Sequence, residues 1–249
     1  MIKGTIFLLI SFFSFNAFAQ SNEPPSSLKL LSNGDYVIED FEEEEIGSLP
    51  KRWFNQRAEN KVSNYNEELR ETYNYEVVEE DGNKYLRFEG IKAKHLTFPL
   101  LKVENLNIHE TPILSWDWRA TKIPEGGNED TNDKNDVVAS VYVAFDMGRI
   151  ALVKKVPKSI RYTWSSTLPV GTELSKFFGN QKIVVVASGK EGLGSWKSFS
   201  RNIAQDYKRL FGDNPPKVPL AFLILSDGDD TKDVVIADYD NITLSSANK

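Results

Sequence analysis

The sequence predicts an all-β protein, an antiparallel β-sandwich with one helix in its C-terminal half. Short segments of alternating apolar and polar residues recur along the chain, rich in Val, Ile, Tyr and Trp and separated by turn residues. Such segments are typical of β-strands. Only one segment has helical spacing, whereas an α/β protein would alternate strands with helices. These observations favour two packed sheets.

The N-terminal segment, residues 1–19, has the layout of a secretory signal peptide. Lys3 is followed by a nearly unbroken apolar run at residues 6–15, and small residues precede a cleavage site between Ala19 and Gln20. The run is shorter than the roughly 20 residues of a membrane-spanning helix. We therefore expect a periplasmic or secreted protein that is soluble and has no membrane anchor.

The remainder divides into a leader and one domain. Residues 20–27 are polar and contain a Pro pair, and we expect residues 20–35 to form a flexible leader. Residues 36–246 contain no Pro/Ser-rich linker and are long enough to bury one core. We expect a single β-sandwich domain there.

The strands before the helix follow from the alternating pattern. Asp81 and Gly82 separate two of them and tolerate positive φ, so they predict a hairpin turn. The predicted strands are residues 36–41, 73–78, 84–88, 96–98, 113–120, 137–145, 160–165 and 182–188.

The predicted helix precedes two final strands, residues 220–225 and 234–244. Ser198 is a candidate N-cap, and Gly212 ends the helix. The apolar residues that share one helical face are Phe199, Ile203, Tyr207, Leu210 and Phe211.

Composition excludes several classes of function. The formal net charge of −6 argues against nucleic acid, because nucleic-acid binding requires Lys and Arg to neutralise phosphates. The chain has no cysteine, which excludes disulfides, Cys-based zinc sites and a thiol nucleophile. Its two histidines have no nucleophile-elbow context nearby.

The strand at residues 114–120 is the best-defined local feature. Period two sends Trp116 and Trp118 to one face, and Asp117 and Arg119 to the other. Either the indoles are exposed platforms for sugar rings, or the polar face is the floor of a binding cleft. A third interpretation places the indoles in the core and leaves a surface ion pair.

Residues 160–165 repeat this design, with Trp164 on the apolar face and Arg161 and Ser165 on the polar face. If both strands belong to one sheet with aligned polar faces, their charged side chains line a shared surface. The predicted ligand-binding residues are accordingly Asp117, Arg119, Arg161, Trp164 and Ser165.

The acidic segment between the last two strands predicts a candidate calcium site at Asp227, Asp229 and Asp230. Calcium binds six to eight oxygen ligands, which clustered carboxylates supply. The segment lacks EF-hand spacing, and Asp and Gly are equally typical of a tight turn. No cofactor is required by any other feature of the sequence.

Several ordered motifs together resemble the bacterial family called domain of unknown function 3047. They are LSWDWRA, NDVVASVYVAF, YTW, VVVASG, DYKRLFG, SDGDDT and ADYDNI, which run from about residue 41 to residue 244. The resemblance implies an exported protein with a jelly-roll-like β-sandwich of the kind seen in carbohydrate-binding modules. It implies no specific activity.

Three functions fit these observations. The leading one is a non-catalytic binding protein for a saccharide or other polar glycan. The second is a polysaccharide-active hydrolase or lyase that uses an acid such as Asp117, so the sequence leaves enzymatic activity open. The third is an envelope interaction protein whose acidic loop, residues 128–136, binds a basic partner protein.

Overall fold

The structure is a computed structural model that describes residues 23–59, 61–64, 71–92, 94–104, 106–150 and 154–247. The signal peptide predicted for residues 1–19 and its cleavage site lie outside these residues.

Thirteen strands occur in the described part of the chain. In chain order they are β1 (Lys29–Leu30), β2 (Tyr36–Glu39), β3 (Tyr75–Glu80), β4 (Asn83–Gly90), β5 (Leu96–Pro99), β6 (Ile113–Lys122), β7 (Val137–Ile150), β8 (Lys154–Ser165), β9 (Glu173–Lys176), β10 (Gln181–Ser188), β11 (Lys197–Asn202), β12 (Ala221–Asp227) and β13 (Val235–Ser245). Helix α1 spans Ile203–Phe211, and short 3-10 helices span Val62–Asn64 and Phe177–Gly179.

The strands form two sheets, which confirms the predicted all-β sandwich. In the seven-stranded sheet, β13 pairs on one side with β6, which also pairs with β11. On its other side β13 pairs with β4 and β2, and these pair in turn with β3 and β1. The six-stranded sheet has the order β5-β12-β7-β8-β10-β9. One pair departs from the antiparallel expectation, because β8 and β10 run parallel.

Large aromatic side chains from both sheets fill the core between them. Trp116 and Trp118 project inward from β6 and are 1% and 0% exposed. Trp116 stacks on Tyr162 of β8 with ring centroids 5.5 Å apart, and Trp118 lies 6.3 Å from Trp164. Such aromatic pairs contribute roughly 0.5–1.5 kcal/mol each beyond the burial of their area. The period-two alternation of β6 therefore leaves Asp117 and Arg119 on the outer face.

The helix begins later than the sequence pattern predicts. Residues Lys197–Asn202 form β11, which pairs with β6, so Ser198 and Phe199 belong to a strand. Asn202 is the N-cap, and its side chain accepts a hydrogen bond from the Gln205 backbone N–H. The predicted end is confirmed, because Gly212 adopts a left-handed conformation with φ of 75°.

Part of the predicted leader takes part in a sheet. Lys29 and Leu30 of the predicted leader pair with Val37 and Tyr36 as the short strand β1. Within the described ranges, the helices are all too short or too polar to cross a membrane.

Candidate functional site

A cleft of about 330 Å³ opens on the outer face of the seven-stranded sheet. We call it the Trp196 cleft, and it contains the predicted residue Asp117. The residues that line it are Glu80, Asp81, Asn83, Tyr85, Asp117, Trp196, Asp240 and Asn241.

The floor of the cleft lies where β13 changes neighbours. Tyr239 is the last residue of β13 paired with β4, and Ile242 is the first one paired with β2. Between these two pairings, Asp240 lies directly opposite Asp117 of β6. Residues directly opposite in an antiparallel pair point to the same face. Two carboxylates therefore share the floor.

The β3–β4 hairpin forms one rim of the cleft. Its turn residues Asp81 and Gly82 have φ of 53° and 80°, as the sequence predicts for a tight hairpin. The turn brings Glu80 and Asn83, which flank it, to the cleft. Asn83 Nδ2 donates a hydrogen bond of 3.0 Å to Asp240 Oδ2, which ties the rim to the floor.

Trp196 forms the aromatic wall, and its indole is partly exposed. The ring meets Tyr85 edge to face, with centroids 5.2 Å apart. The guanidinium of Arg119 lies 4.9 Å from the Trp196 centroid and 5.1 Å from the Tyr85 centroid. Cation–π contacts of this kind fix a ring in place. The indole thus packs against two side chains while part of it faces solvent.

Arg119 is itself held by two carboxylates. Its Nε donates to Asp238 at 2.7 Å, and its Nη1 donates to Glu80 at 2.6 Å. Asp238 is fully buried and also accepts a hydrogen bond of 2.7 Å from Arg87 Nε. The guanidinium of Arg119 is therefore already paired with carboxylates of the protein. It supports the cleft wall and has little capacity left for a ligand.

The floor carboxylates differ in their environment. Burial, aided by the nearby charge of Asp117 and opposed by hydrogen bonds from Asn83 and Asn241, raises the pKa of Asp240 to about 6. Asn241 Nδ2 donates to Asp117 Oδ2 at 2.9 Å. Asp117 is partly exposed at the floor.

The predicted surface shared by Asp117 and Arg161 does not form. Asp117 lies on β6 in the seven-stranded sheet, whereas Arg161 and Ser165 lie on β8 in the six-stranded sheet. Both strands turn their aromatic faces to the common core, so their polar faces point away from each other. That prediction is wrong because local alternation does not reveal which strands share a sheet.

Arg161 and Ser165 belong instead to a buried polar network around Glu129. Arg161 is 2% exposed, and its Nε donates to Ser140 Oγ at 2.9 Å. Ser140 Oγ lies 3.2 Å from Thr163 Oγ1, which donates to Glu129 at 3.3 Å. Ser165 Oγ donates to the same carboxylate at 2.5 Å. These groups stabilise each other and do not open onto solvent.

Trp164 is also closed to a ligand. Its side chain is fully buried, and its Nε1 donates to the Gly189 carbonyl at 3.0 Å. It occupies the core as Trp116 and Trp118 do, which agrees with the third interpretation of the tryptophans. The exposed-platform interpretation of Trp116 and Trp118 is wrong, since both are in the core.

The acidic segment gathers a different trio of carboxylates from the predicted one. Carboxylate oxygens of Asp136, Asp229 and Asp230 lie within 4.8 Å of one another. Asp136 is fully buried and accepts hydrogen bonds from the backbone N–H groups of Asp230 and Thr231 at 3.1 and 2.6 Å. Asp227 lies outside this trio, and burial raises its pKa to about 7.

Trp196, Tyr85, Asp240 and Asn241 are members of the cleft that the sequence did not identify. The Asp81–Gly82 turn signalled a hairpin, but nothing local placed that hairpin beside β13. Trp196 stands alone between glycine-rich residues and β11. An isolated tryptophan in a loop was the available signal.

The sequence matches the family described as "Protein of unknown function (DUF3047)" over residues 53–243. This range includes every cleft residue. No curated protein matches the sequence.

Solved structures with a similar fold include carbohydrate-binding modules. The family 11 module of the cellulase Lic26A-Cel5E of Clostridium thermocellum is 11% identical, with a TM-score of 0.39, covering 87% of this chain and 97% of that one. A family 28 module specific for non-crystalline cellulose is 13% identical, with a TM-score of 0.34, covering 70% and 82%. SGBP-B from a xyloglucan utilization locus of Bacteroides uniformis is 12% identical, with a TM-score of 0.37, covering 70% and 45%.

Proposed function

The chain belongs to the DUF3047 family, and we propose that it is an exported binding protein that holds an uncharged saccharide in the Trp196 cleft. The observation that carries this proposal is the partly exposed Trp196 indole, which is fixed by Arg119 and Tyr85 beside the acceptors of Asp117 and Asn83.

The chemistry of a sugar fits both parts of the cleft. The C–H face of a pyranose packs on an indole, while its hydroxyls donate to carboxylates and amide oxygens. A rigid aromatic wall costs little conformational entropy when the ligand binds, since its rotamer is already set. The volume of about 330 Å³ lies at the small end of ligand pockets, which suits one or two sugar units.

The charge of the cleft favours an uncharged ligand. Its lining contains Glu80, Asp81, Asp117 and Asp240, whereas the cation next to it, Arg119, is already paired with Glu80 and Asp238. A uronic-acid polymer would meet like charges. We expect acidic polysaccharides such as alginate and polygalacturonate to be excluded.

Affinity electrophoresis tests the proposal directly. Residues 20–249 are run in native gels that contain hydroxyethylcellulose, laminarin, xylan or galactomannan, with alginate and polygalacturonate as acidic controls. We expect at least one neutral polymer to retard the protein. Trp196→Ala should weaken this retardation at least tenfold, and Trp196→Phe should retain part of it because an aromatic face remains.

Folding of each variant is checked by its thermal midpoint, so that lost binding is not lost structure. Equal retardation of wild type and Trp196→Ala in every neutral gel would place the ligand elsewhere. Retardation by the acidic polymers alone would contradict the uncharged ligand.

One observation favours hydrolysis as a second candidate function. Directly opposite residues in antiparallel strands have Cβ atoms about 5 Å apart, and Asp117 and Asp240 are such a pair. Retaining glycosidases hold their two carboxyl groups roughly 5–5.5 Å apart. The pKa of Asp240, raised to about 6 chiefly by burial, suits a group that carries a proton in weakly acidic solution.

Reducing-sugar release from the same neutral polysaccharides distinguishes this candidate. Hydrolysis at Asp117 predicts product with the wild type and at least a thousandfold less with Asp117→Asn, because a charged nucleophile is removed. Binding without release by the wild type would leave the non-catalytic function.

We also propose that Asp136, Asp229 and Asp230 bind a calcium ion, in place of the trio predicted from the sequence. Carboxylate oxygens this close to one another repel, and a divalent cation would relieve that repulsion. Addition of calcium should then raise the thermal midpoint, and Asp229→Asn should reduce the increase. An identical midpoint with calcium and with chelator would show an ordinary turn.

A further inference from the structure

Two consecutive phenylalanines project into solvent at one end of the six-stranded sheet. Phe177 is 55% exposed and Phe178 is 91% exposed. They follow β9, the edge strand of that sheet, and form a short 3-10 helix with Gly179. Phe178 takes almost no part in the core, so folding gains little from its ring.

The backbone at this pair is in an unfavourable conformation. Phe177 has φ of 50°, and Phe178 has φ of 56° with ψ of 36°. The left-handed region is rare for residues other than Gly, Asn and Asp, because the Cβ atom crowds the backbone. This backbone conformation therefore costs free energy, and the two exposed rings contribute little to the packing of the interior. Such strain is typical of sites with a function.

A second cavity of about 330 Å³ lies against these rings. Besides the two phenylalanines, its lining residues are Asn132, Asn135, Lys176 and Gln181. Three of these four carry uncharged amides, which both donate and accept hydrogen bonds. Asn135 Oδ1 has no hydrogen-bond partner among the described residues.

The charged group at this cavity is already engaged. Lys176 Nζ donates to the Asp130 carbonyl at 3.0 Å. The cavity thus offers ring faces, three amide groups and a single charged side chain, whose ammonium group is directed at a backbone carbonyl. A peptide with several acidic or basic groups would find one charge here at most, whereas the hydroxyls of a sugar chain find three amides that both donate and accept.

We propose that Phe177, Phe178 and the adjoining amides form a second binding site for an uncharged saccharide, which we call the Phe site. The ligand class rests on the function proposed above, although the residues are independent of the Trp196 cleft. The rings pack against the sugar face, and the amides of Asn132, Asn135 and Gln181 bind its hydroxyls.

The two sites belong to different sheets. The Trp196 cleft lies on the outer face of the seven-stranded sheet, and the Phe site lies at the edge of the six-stranded one. Their sheets turn their inner faces to one core, so one short oligosaccharide does not reach both. The protein therefore links two segments of polysaccharide, and the second contact raises the apparent affinity for a polymer.

The test uses Phe178→Asn as its main variant, because Asn tolerates the left-handed backbone and the fold should not suffer. Phe177→Asn is the second variant, Trp196→Ala removes the other site, and a double variant combines Phe178→Asn with Trp196→Ala. The probes are hydroxyethylcellulose, laminarin, xylan and galactomannan, used in affinity gels and in light scattering of dilute mixtures.

We expect Phe178→Asn to keep a thermal midpoint at or above that of the wild type. Its affinity for the retarding polymer should fall at least fivefold, and the growth of scattering that reports linked chains should be lost. Trp196→Ala should lose that growth too, while the double variant should show no retardation in any gel.

Two results would overturn the Phe site. In the first, Phe178→Asn and Phe177→Asn bind the polymer and scatter light as the wild type does, whereas Trp196→Ala does not. That result would leave the saccharide site proposed at the Trp196 cleft unaffected. The other is a dimer in sedimentation that Phe178→Asn converts to a monomer without loss of sugar binding, which would make the rings an interface between copies. Loss of binding in Phe178→Asn with full binding in Trp196→Ala would support the Phe site and remove the cleft.

Discussion

Asp238 is a fully buried carboxylate that two guanidinium groups share. Arg87 and Arg119 each donate to it at 2.7 Å, and Arg119 in turn supports Trp196. The two guanidinium groups compensate the buried charge of the carboxylate. Removal of the carboxylate or of its guanidinium partners would leave an uncompensated charge.

Asp238→Asn should therefore lower the free energy of unfolding by about 3 kcal/mol. The matched control is Asp40→Asn, which breaks the more exposed pair with Lys29 and should cost about 0.5 kcal/mol or less. Urea unfolding followed by fluorescence measures both. Equal effects of the two variants would contradict the structural role given to Asp238.

The carboxyl group of Asp227 makes stability depend on pH. Burial, aided by the charge of Asp229, raises its pKa from 3.8 to about 7. Between these values the folded protein holds a proton that the unfolded chain has released. The free energy of unfolding therefore falls as the pH rises from about 4 to about 7.

Asp227→Asn should flatten this dependence. We expect the difference in unfolding free energy between pH 5 and pH 8 to shrink by on the order of 1 kcal/mol in the variant, after allowance for solvent screening. Urea titrations of both proteins at the two pH values measure it. A difference that is as large in the variant as in the wild type would show that Asp227 does not titrate near neutrality.

Sequence reasoning at this scale succeeded for neighbours along one strand. Alternation placed Asp117 and Arg119 on the face opposite Trp116 because side-chain direction follows from position alone. It failed for Arg161, whose distance from Asp117 depends on which sheet each strand joins. The sequence did not place Asp240 beside Asp117 for the same reason, because the pairing of these two residues depends on strands that are far apart in the chain.

At the scale of elements, most predicted segments coincide with observed strands, because Val, Ile and aromatic residues are concentrated in them and turn residues separate them. Three observed strands are not predicted from the sequence, β1, β9 and β11. The sequence pattern assigns part of β11 (Lys197–Asn202) to the helix, because apolar Phe199 lies four residues before Ile203 and so fits a helical face. The same residues also alternate, and the pattern fits both structures. Pairing with β6 decides for a strand, and Phe199 stacks on Trp116 with centroids 5.8 Å apart.

The position of the helix cap distinguishes the two interpretations in solution. Asn202 accepts a hydrogen bond of 2.9 Å from the Gln205 backbone N–H, so Asn202→Ala should cost about 1 kcal/mol of stability. Ser198→Ala, the cap that the sequence pattern suggested, should cost a few tenths of a kcal/mol at most. Thermal unfolding of both variants measures this, and the reverse order would move the start of α1 to Ser198.

At the scale of the whole molecule, export is expected from residues 1–19 and can be measured directly. Expression of the full chain in a Gram-negative host should yield a periplasmic or secreted product whose intact mass corresponds to a first residue of Gln20. Ala19→Leu should slow processing, because the cleavage site requires a small residue. A cytoplasmic product that keeps residues 1–19 would contradict export.

The pairing of β13 has a consequence for how the protein is made. Residues Val235–Ser245 join β6 on one side and both β4 and β2 on the other, so three earlier strands share this late one as their common neighbour. A nascent chain that has not yet released this segment from the ribosome has no centre for its seven-stranded sheet. The seven-stranded sheet can close only after residues Val235–Ser245 have been synthesised. Until then the chain remains unfolded enough to pass through a narrow channel.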